Sequence, residues 1–245
     1  MKSKIYAGIS LLILLSFIFT TFSGQVSVSA PMNFTEIEED NSKNTKKLTS
    51  YPIDIPFVYG MRFDLVALDP QNAWDPGSFD VIQQVCEGLY GYNYSDPEMA
   101  IIPYLATGDG IWSPDGLNYT IPLRSGVTFH DGTSFNASAV KFTFDRLAYL
   151  MDNYMSVVNS FYEVYDPDFG AFRRIINRTE LVDTYTIKFI LNVPYGALDA
   201  LLCFSGSYIL SPTSTPATTN IDTETGDLVG TGPFVYDDYI PDVEV

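Results

Sequence analysis

The chain has 245 residues, 46% of them apolar, and carries a net charge of −17 at neutral pH because 30 acidic residues stand against 13 basic ones. That is long enough for one large or two modest domains, and apolar enough to exclude wholesale disorder. The acidity argues against nucleic acid or an anionic membrane as a partner, and reads as a well-solvated surface.

In chain order, residues 1–30 read as a targeting segment: Lys2 and Lys4 give the positive start, 5–22 are almost unbroken apolar, and small residues follow. The protein is therefore expected to be exported, either cleaved near Val28-Ser-Ala30 or held by an uncleaved N-terminal helix. No Cys lies near this segment, which removes attachment by a bacterial lipoprotein route. Asn33, Asn93, Asn118, Asn136 and Asn177 each open an Asn-X-Ser/Thr sequon, which fits an outside location and marks the chain as a candidate glycoprotein. Residues 31–50 are polar and charged and read as a linker, with order beginning near Tyr51.

Residues 56–59 form a short apolar run ending at Gly60, expected as a strand. Over 78–90, Val81, Ile82, Val85, Cys86 and Leu89 recur with helical spacing, and Gly91 is the expected stop. Residues 101–147 hold a compact plan. Ser113-Pro-Asp-Gly116 is a tight turn, and Leu117, Tyr119, Ile121 and Leu123 share the buried parity of a strand. Two further turns end at Gly126 and Gly132, and Asn136 opens a helix whose buried stripe is Val140, Phe144 and Leu147. Residues 152–168 read as a loop with a helical turn, and Tyr185, Ile187, Phe189 and Leu191 as the buried side of a second strand ending before Pro194. A short buried helix over 197–203 follows, closed by Ser205-Gly206. After the Ser/Thr/Pro-rich loop 211–223, Gly230-Thr-Gly-Pro-Phe234 introduces a last strand over 235–239, and 242–245 begin another extended run at which the sequence looks truncated.

Candidate chemistry is sparse. His130 is the single histidine, and in a His-Asp-Gly turn its expected work is to bond the local backbone; with no second histidine there is no His-centred metal triad. Gly230-Thr-Gly232 lacks the third glycine and helix of a dinucleotide loop, and Asp168-Phe-Gly170 is read as a turn. Asp222, Glu224 and Asp227 suit a hairpin turn better than a calcium loop. No catalytic residue, metal site or cofactor is expected. Cys86 and Cys203 sit among apolar neighbours as two buried thiols, with a disulfide as the alternative. Aromatic residues make 15% of the chain, and Tyr59, Trp74, Phe79, Tyr154, Phe161 and Tyr162 fall beside Gly, Pro, Asn or Ser in loops, where flat faces can stack on a peptide or a sugar.

The ordered set Leu68-Asp-Pro70, Glu87-Gly-Leu-Tyr90, Ile102-Pro-Tyr-Leu-Ala106, Tyr119-Thr-Ile-Pro-Leu-Arg-Ser-Gly126, Phe129-His-Asp-Gly132, Phe144-Asp-Arg146 and Gly230-Thr-Gly-Pro-Phe234 resembles the family 5 extracellular solute-binding proteins. These are the dipeptide- and oligopeptide-binding components of ATP-binding cassette importers. The resemblance runs from about Val58 to the end and implies a mixed α/β (α+β) fold of the type II periplasmic-binding-protein kind. Residues 51–245 would be the first lobe with its inserted subdomain, and the second lobe would be missing. It further implies a monomer that presents an oligopeptide or oligosaccharide ligand to a membrane permease. Tyr59, Gly60, Met61 and Arg62 after the first strand, Trp74 and Asp75 before the first helix, Phe161, and Ser205 with Gly206 are the residues expected on the ligand-facing wall. An extracellular glycan- or peptide-acting hydrolase and a surface receptor using the same module are the alternatives.

Overall fold

The computed structural model describes residues 25–28, 32–40, 45–53, 57–154 and 157–240, with side chains described from Tyr59 onward except at 157 and 159. The apolar run of the targeting segment and residues 241–245 lie outside the described residues. The chain divides into two compact units, 1–62 and 63–243.

In the first unit, β1 (Gln25–Val28) pairs antiparallel with β4 (Phe57–Gly60), and β2 (Met32–Asp40) pairs antiparallel with β3 (Thr45–Ile53). The segment expected as a linker thus carries two strands, and their register sets Glu38 opposite Lys47 and Glu39 opposite Lys46. Composition alone separates an acidic run from a lysine run; pairing them is a property of the ladder.

The second unit begins with α1 (Pro76–Val85), then β5 (Tyr90–Tyr92), β6 (Ile101–Pro103), β7 (Ile111–Trp112) and β8 (Asn118–Pro122). It continues through α2 (Ala137–Asn153), a 3-10 turn at Val157–Tyr162, β9 (Glu163–Asp166), β10 (Ala171–Arg174), β11 (Ile176–Asp183), β12 (Thr186–Leu191) and α3 (Leu198–Leu202). Its largest sheet has the order β11-β12-β8-β7, and every strand pairing among the described residues is antiparallel. Tyr119 and Ile121 from β8 and Ile187, Phe189 and Leu191 from β12 are buried at alternate positions, as the period-2 pattern requires. Helix α2 packs on β11 and β12, with Phe144 set edge-on to Phe189 at 4.8 Å between ring centroids.

Helix α2 starts where the sequence says. Asn136 is extended, and its side-chain oxygen accepts the Ser138 N–H at 2.8 Å, satisfying one of the free donors of the first turn. Replacing Asn136 with Ala is expected to cost about 1 kcal/mol in a urea melt, while Asn136→Ser should retain most of it.

Helix α1 departs from the expected 78–90 at both ends. Asp75 caps it by accepting the Ser78 N–H at 2.9 Å, and Pro76 occupies the first position, where its missing N–H costs nothing. It stops at Val85, well before Gly91, which lies in β5. The stop is tertiary. Gly232 N–H donates to Val85 O at 2.9 Å and Phe234 N–H to Gln84 O at 3.1 Å, so a distant segment satisfies the helix's last carbonyls. No strand forms over 235–239, the residues that follow this docking. The hairpin β9–β10, folded back through Gly170 at φ +66, also replaces part of the expected loop over 152–168.

A second tertiary tie has no local signature. Arg146 of α2 and Asp69 are both buried and form an ion pair. The guanidinium also donates to Gln71 Oε1 at 2.5 Å, Pro216 O at 2.6 Å and Thr219 O at 2.7 Å, while Asp69 accepts the Gln71 N–H and the Ile221 N–H, each at 2.8 Å. The loop 211–223 is thereby tied to α2 and to Asp69 without any regular structure of its own.

Candidate functional site

Four aromatic side chains from separate elements meet on one face of the second unit. Trp74 ends the loop before α1, Phe79 lies in its first turn, Phe161 comes from the 3-10 turn Val157–Tyr162, and Phe204 follows α3. Trp74 and Phe161 lie 4.8 Å apart between ring centroids, and Phe161 and Phe204 5.0 Å apart, both tilted pairs. Phe79 sits edge-on to Trp74 and to Phe204, at 6.2 Å in each case. Edge-on and offset pairs of this kind favour a fixed geometry, each by roughly 0.5–1.5 kcal/mol beyond the area buried.

Beside this cluster opens a groove of ≈ 410 Å³, lined by Phe79, Gln83, Tyr92, Tyr94, Phe161, Tyr195, Ala197, Ala200, Leu201, Cys203, Phe204, Ser205 and Tyr208. No lining residue is charged. Burial pushes the Tyr92 and Tyr208 hydroxyls above the ordinary tyrosine range, so they stay protonated at neutral pH. Burial, and after it the Asp199 carboxylate, pushes the Cys203 thiol up to about 12, which removes it as a thiolate nucleophile. Cys86 is likewise a buried free thiol, held up by burial and by Asp69 and Glu87, and the two cysteines are not joined.

The residues expected on the ligand wall are placed as follows. Ser205 and Phe161 line the groove together, and Trp74 packs against Phe161. Gly206 does not line the groove; it is buried where a Cβ would stand 2.9 Å from Tyr162 Oη and 3.0 Å from Val158 Cγ1. Asp75 is the α1 cap, bonded to the Ser78 N–H and, at 2.6 Å, to its hydroxyl. Tyr59, Gly60, Met61 and Arg62 belong to the first unit; Tyr59, Gly60 and Arg62 are exposed and Met61 is buried. Sequence reasoning did not assign Gln83, Tyr92, Tyr94, Tyr195, Phe204 or Tyr208 to a site. The Tyr-Asn-Tyr run 92–94 between turn residues was the one local signal for two of them.

The other sequence candidates resolve into structure. His130 does bond backbone, but at long range: its Nε2 lies 2.9 Å from Gly232 O, and since a carbonyl only accepts, Nε2 carries the proton. Its neighbour Asp131 accepts from Ser214 Oγ at 2.8 Å and from Ser211 Oγ. Burial works to raise that carboxyl, but the hydroxyls of Ser211, Thr133 and Ser214 outweigh it and hold the group well below the usual range. Asp222 organises its turn by accepting the Thr225 N–H at 2.8 Å and Thr225 Oγ1 at 2.7 Å. Among the described residues no group of three His, Cys, Asp or Glu side chains is placed to hold a metal ion, and no helix is long and apolar enough to cross a membrane.

Comparison with known proteins agrees on a single lineage. Residues 100–245 match the family model described as bacterial extracellular solute-binding proteins, family 5 Middle. The chain is 38% identical over 182 residues to the glutathione-binding protein GsiB of Pectobacterium atrosepticum, covering 74% of this chain and 31% of that protein. Among solved structures it resembles the ABC transporter-associated periplasmic binding protein DppA from Helicobacter pylori in complex with peptide STSA, with a TM-score of 0.54 and 30% identity over 72% of this chain and 35% of that one. NikA from Brucella suis, in complex with Fe(III)-EDTA, matches with a TM-score of 0.53 and 25% identity, over 72% of this chain and 32% of that one. The chain therefore spans about a third of the length of the curated relatives it matches.

Proposed function

Because the chain belongs to family 5 of the bacterial extracellular solute-binding proteins, we propose that it supplies one wall of a peptide-binding cleft in the substrate-capturing component of an ABC importer. The observation that carries this reading is the continuous match from residue 100 to 245, which takes in both α2 and the segment that closes α1. Support for a peptide ligand comes from a relative named for glutathione and a neighbouring structure that holds the peptide STSA. The groove suits that role because aromatic faces with protonated hydroxyls can hold peptide side chains and main chain without covalent chemistry.

Capture in such a cleft needs contacts from two sides and expulsion of water between them, so this wall alone contributes only part of the affinity. The proposed partner downstream is a membrane permease that accepts the loaded protein, and the proposed working form is an exported monomer. Titration calorimetry of the full-length protein, with the opposing wall of the cleft present, against peptide pools and oligosaccharide pools tests the reading. Saturable binding of the peptide pool is expected; heat from neither pool at any concentration would overturn it.

A further inference from the structure

We propose that the groove beside Phe161 and Phe204 is a side-chain pocket selective for uncharged aromatic or large aliphatic residues of the ligand, with Ser205 supplying a buried hydrogen bond. This rests on the peptide-binding reading and adds to it which residues the cleft prefers.

Charge is the first ground. In a chain of net charge −17, none of the thirteen residues lining the groove is Asp, Glu, Lys, Arg or His. A ligand Lys or Glu side chain entering it would shed water and meet no charged side chain in the lining itself, which is costly. A phenyl or leucyl side chain loses nothing by the same move and gains the apolar transfer energy. Shape is the second. The space of ≈ 410 Å³ lies inside the range of about 300–1,000 Å³ typical of small-ligand sites. The ring pairs Trp74–Phe161 and Phe161–Phe204 fix the wall against which a further ring would pack.

The third ground is Ser205. It lines the groove, is only 3% exposed, and its hydroxyl has no hydrogen-bond partner among the described residues. Its neighbour Ser207 shows what a satisfied hydroxyl here looks like, donating to Leu201 O at 2.9 Å and lying 2.7 Å from Tyr162 Oη. A buried hydroxyl left alone forfeits a bond it could make, and a ligand amide or carbonyl seated in the groove restores it.

The test is calorimetry of the full-length protein, with the opposing wall present, using tripeptides of alanine in which one residue, moved through each position, is Phe, Leu, Gln, Lys or Glu. At one position Phe and Leu should bind at least about tenfold more tightly than Lys and Glu. Phe161→Ala, at a side chain already 38% exposed, should remove about tenfold from the Phe peptide and little from trialanine. Ser205→Ala should weaken both by about fivefold with an unchanged melting temperature. Equal affinities for all five side chains, or the same loss for trialanine as for the Phe peptide in Phe161→Ala, would overturn the pocket while leaving peptide capture standing. Absence of binding by every peptide would overturn peptide capture and the pocket with it.

Discussion

Replacing Arg146 with Met is expected to destabilise the protein by about 3–5 kcal/mol, read as a fall in the urea midpoint at constant slope. The side chain is fully buried, so its aliphatic stem can be imitated by Met, and the loss is electrostatic rather than a cavity. What remains after the change is the Asp69 carboxylate, buried to the same degree, with the Gln71 and Ile221 N–H groups as its surviving donors. Pro216 O and Thr219 O lose their donor at the same time, releasing the loop that carries them. A loss of that size is a large share of the roughly 5–15 kcal/mol that holds an ordinary domain together. Removing both partners, as Asp69→Leu with Arg146→Met, should recover part of the loss, because the penalty lies chiefly in the orphaned charge. A double variant no more stable than Arg146→Met alone would refute that account.

Gly230→Ala should cost about 3 kcal/mol, at the upper end of ordinary overpacking. A Cβ at this position would stand 2.1 Å from Val85 O, 2.7 Å from Cys86 Sγ and 2.8 Å from Cys86 Cα. The nearest obstacle is backbone, so the segment must move away from the end of α1. Moving it stretches the His130 N–H bond to Gly230 O, the His130 Nε2 bond to Gly232 O and the Gly232 N–H bond to Val85 O, which are 3.0, 2.9 and 2.9 Å long. Gly108→Ala, where a Cβ would meet nothing within 4 Å, is the matched control and should stay within about 0.5 kcal/mol of the parent. Equal thermal melts for the two variants would show that the junction is not close-packed.

The regular elements whose signals are local were readable from sequence. Alternation at Tyr119 and Ile121 and at Ile187 and Phe189 identifies β8 and β12, and Asn136 with Val140, Phe144 and Leu147 identifies α2, because each pattern is completed within a few residues. The end of α1 was not readable, since the donors that close it belong to Gly232 and Phe234. Arg146 and Asp69 each appeared in a motif that signals the family, yet nothing in either motif says that they pair across 77 positions. The groove was half legible. Trp74, Phe161 and Ser205 stood out by their loop settings, whereas Phe204 and Leu201 form an apolar run that periodicity assigns to the interior. An aromatic on the edge of a core and one on the wall of a groove have the same local sequence.

The junction at Val85 also sets an order of events during synthesis. Thr231 Oγ1 bonds Glu87 Oε2 across 144 positions, and Gly232 and Phe234 reach back as far to the last turn of α1. At ribosomal speeds that interval lasts on the order of ten seconds, during which the end of α1 has only water for a partner. Closing so long a loop is slow and entropically costly, so this corner is among the last parts of the chain to become native.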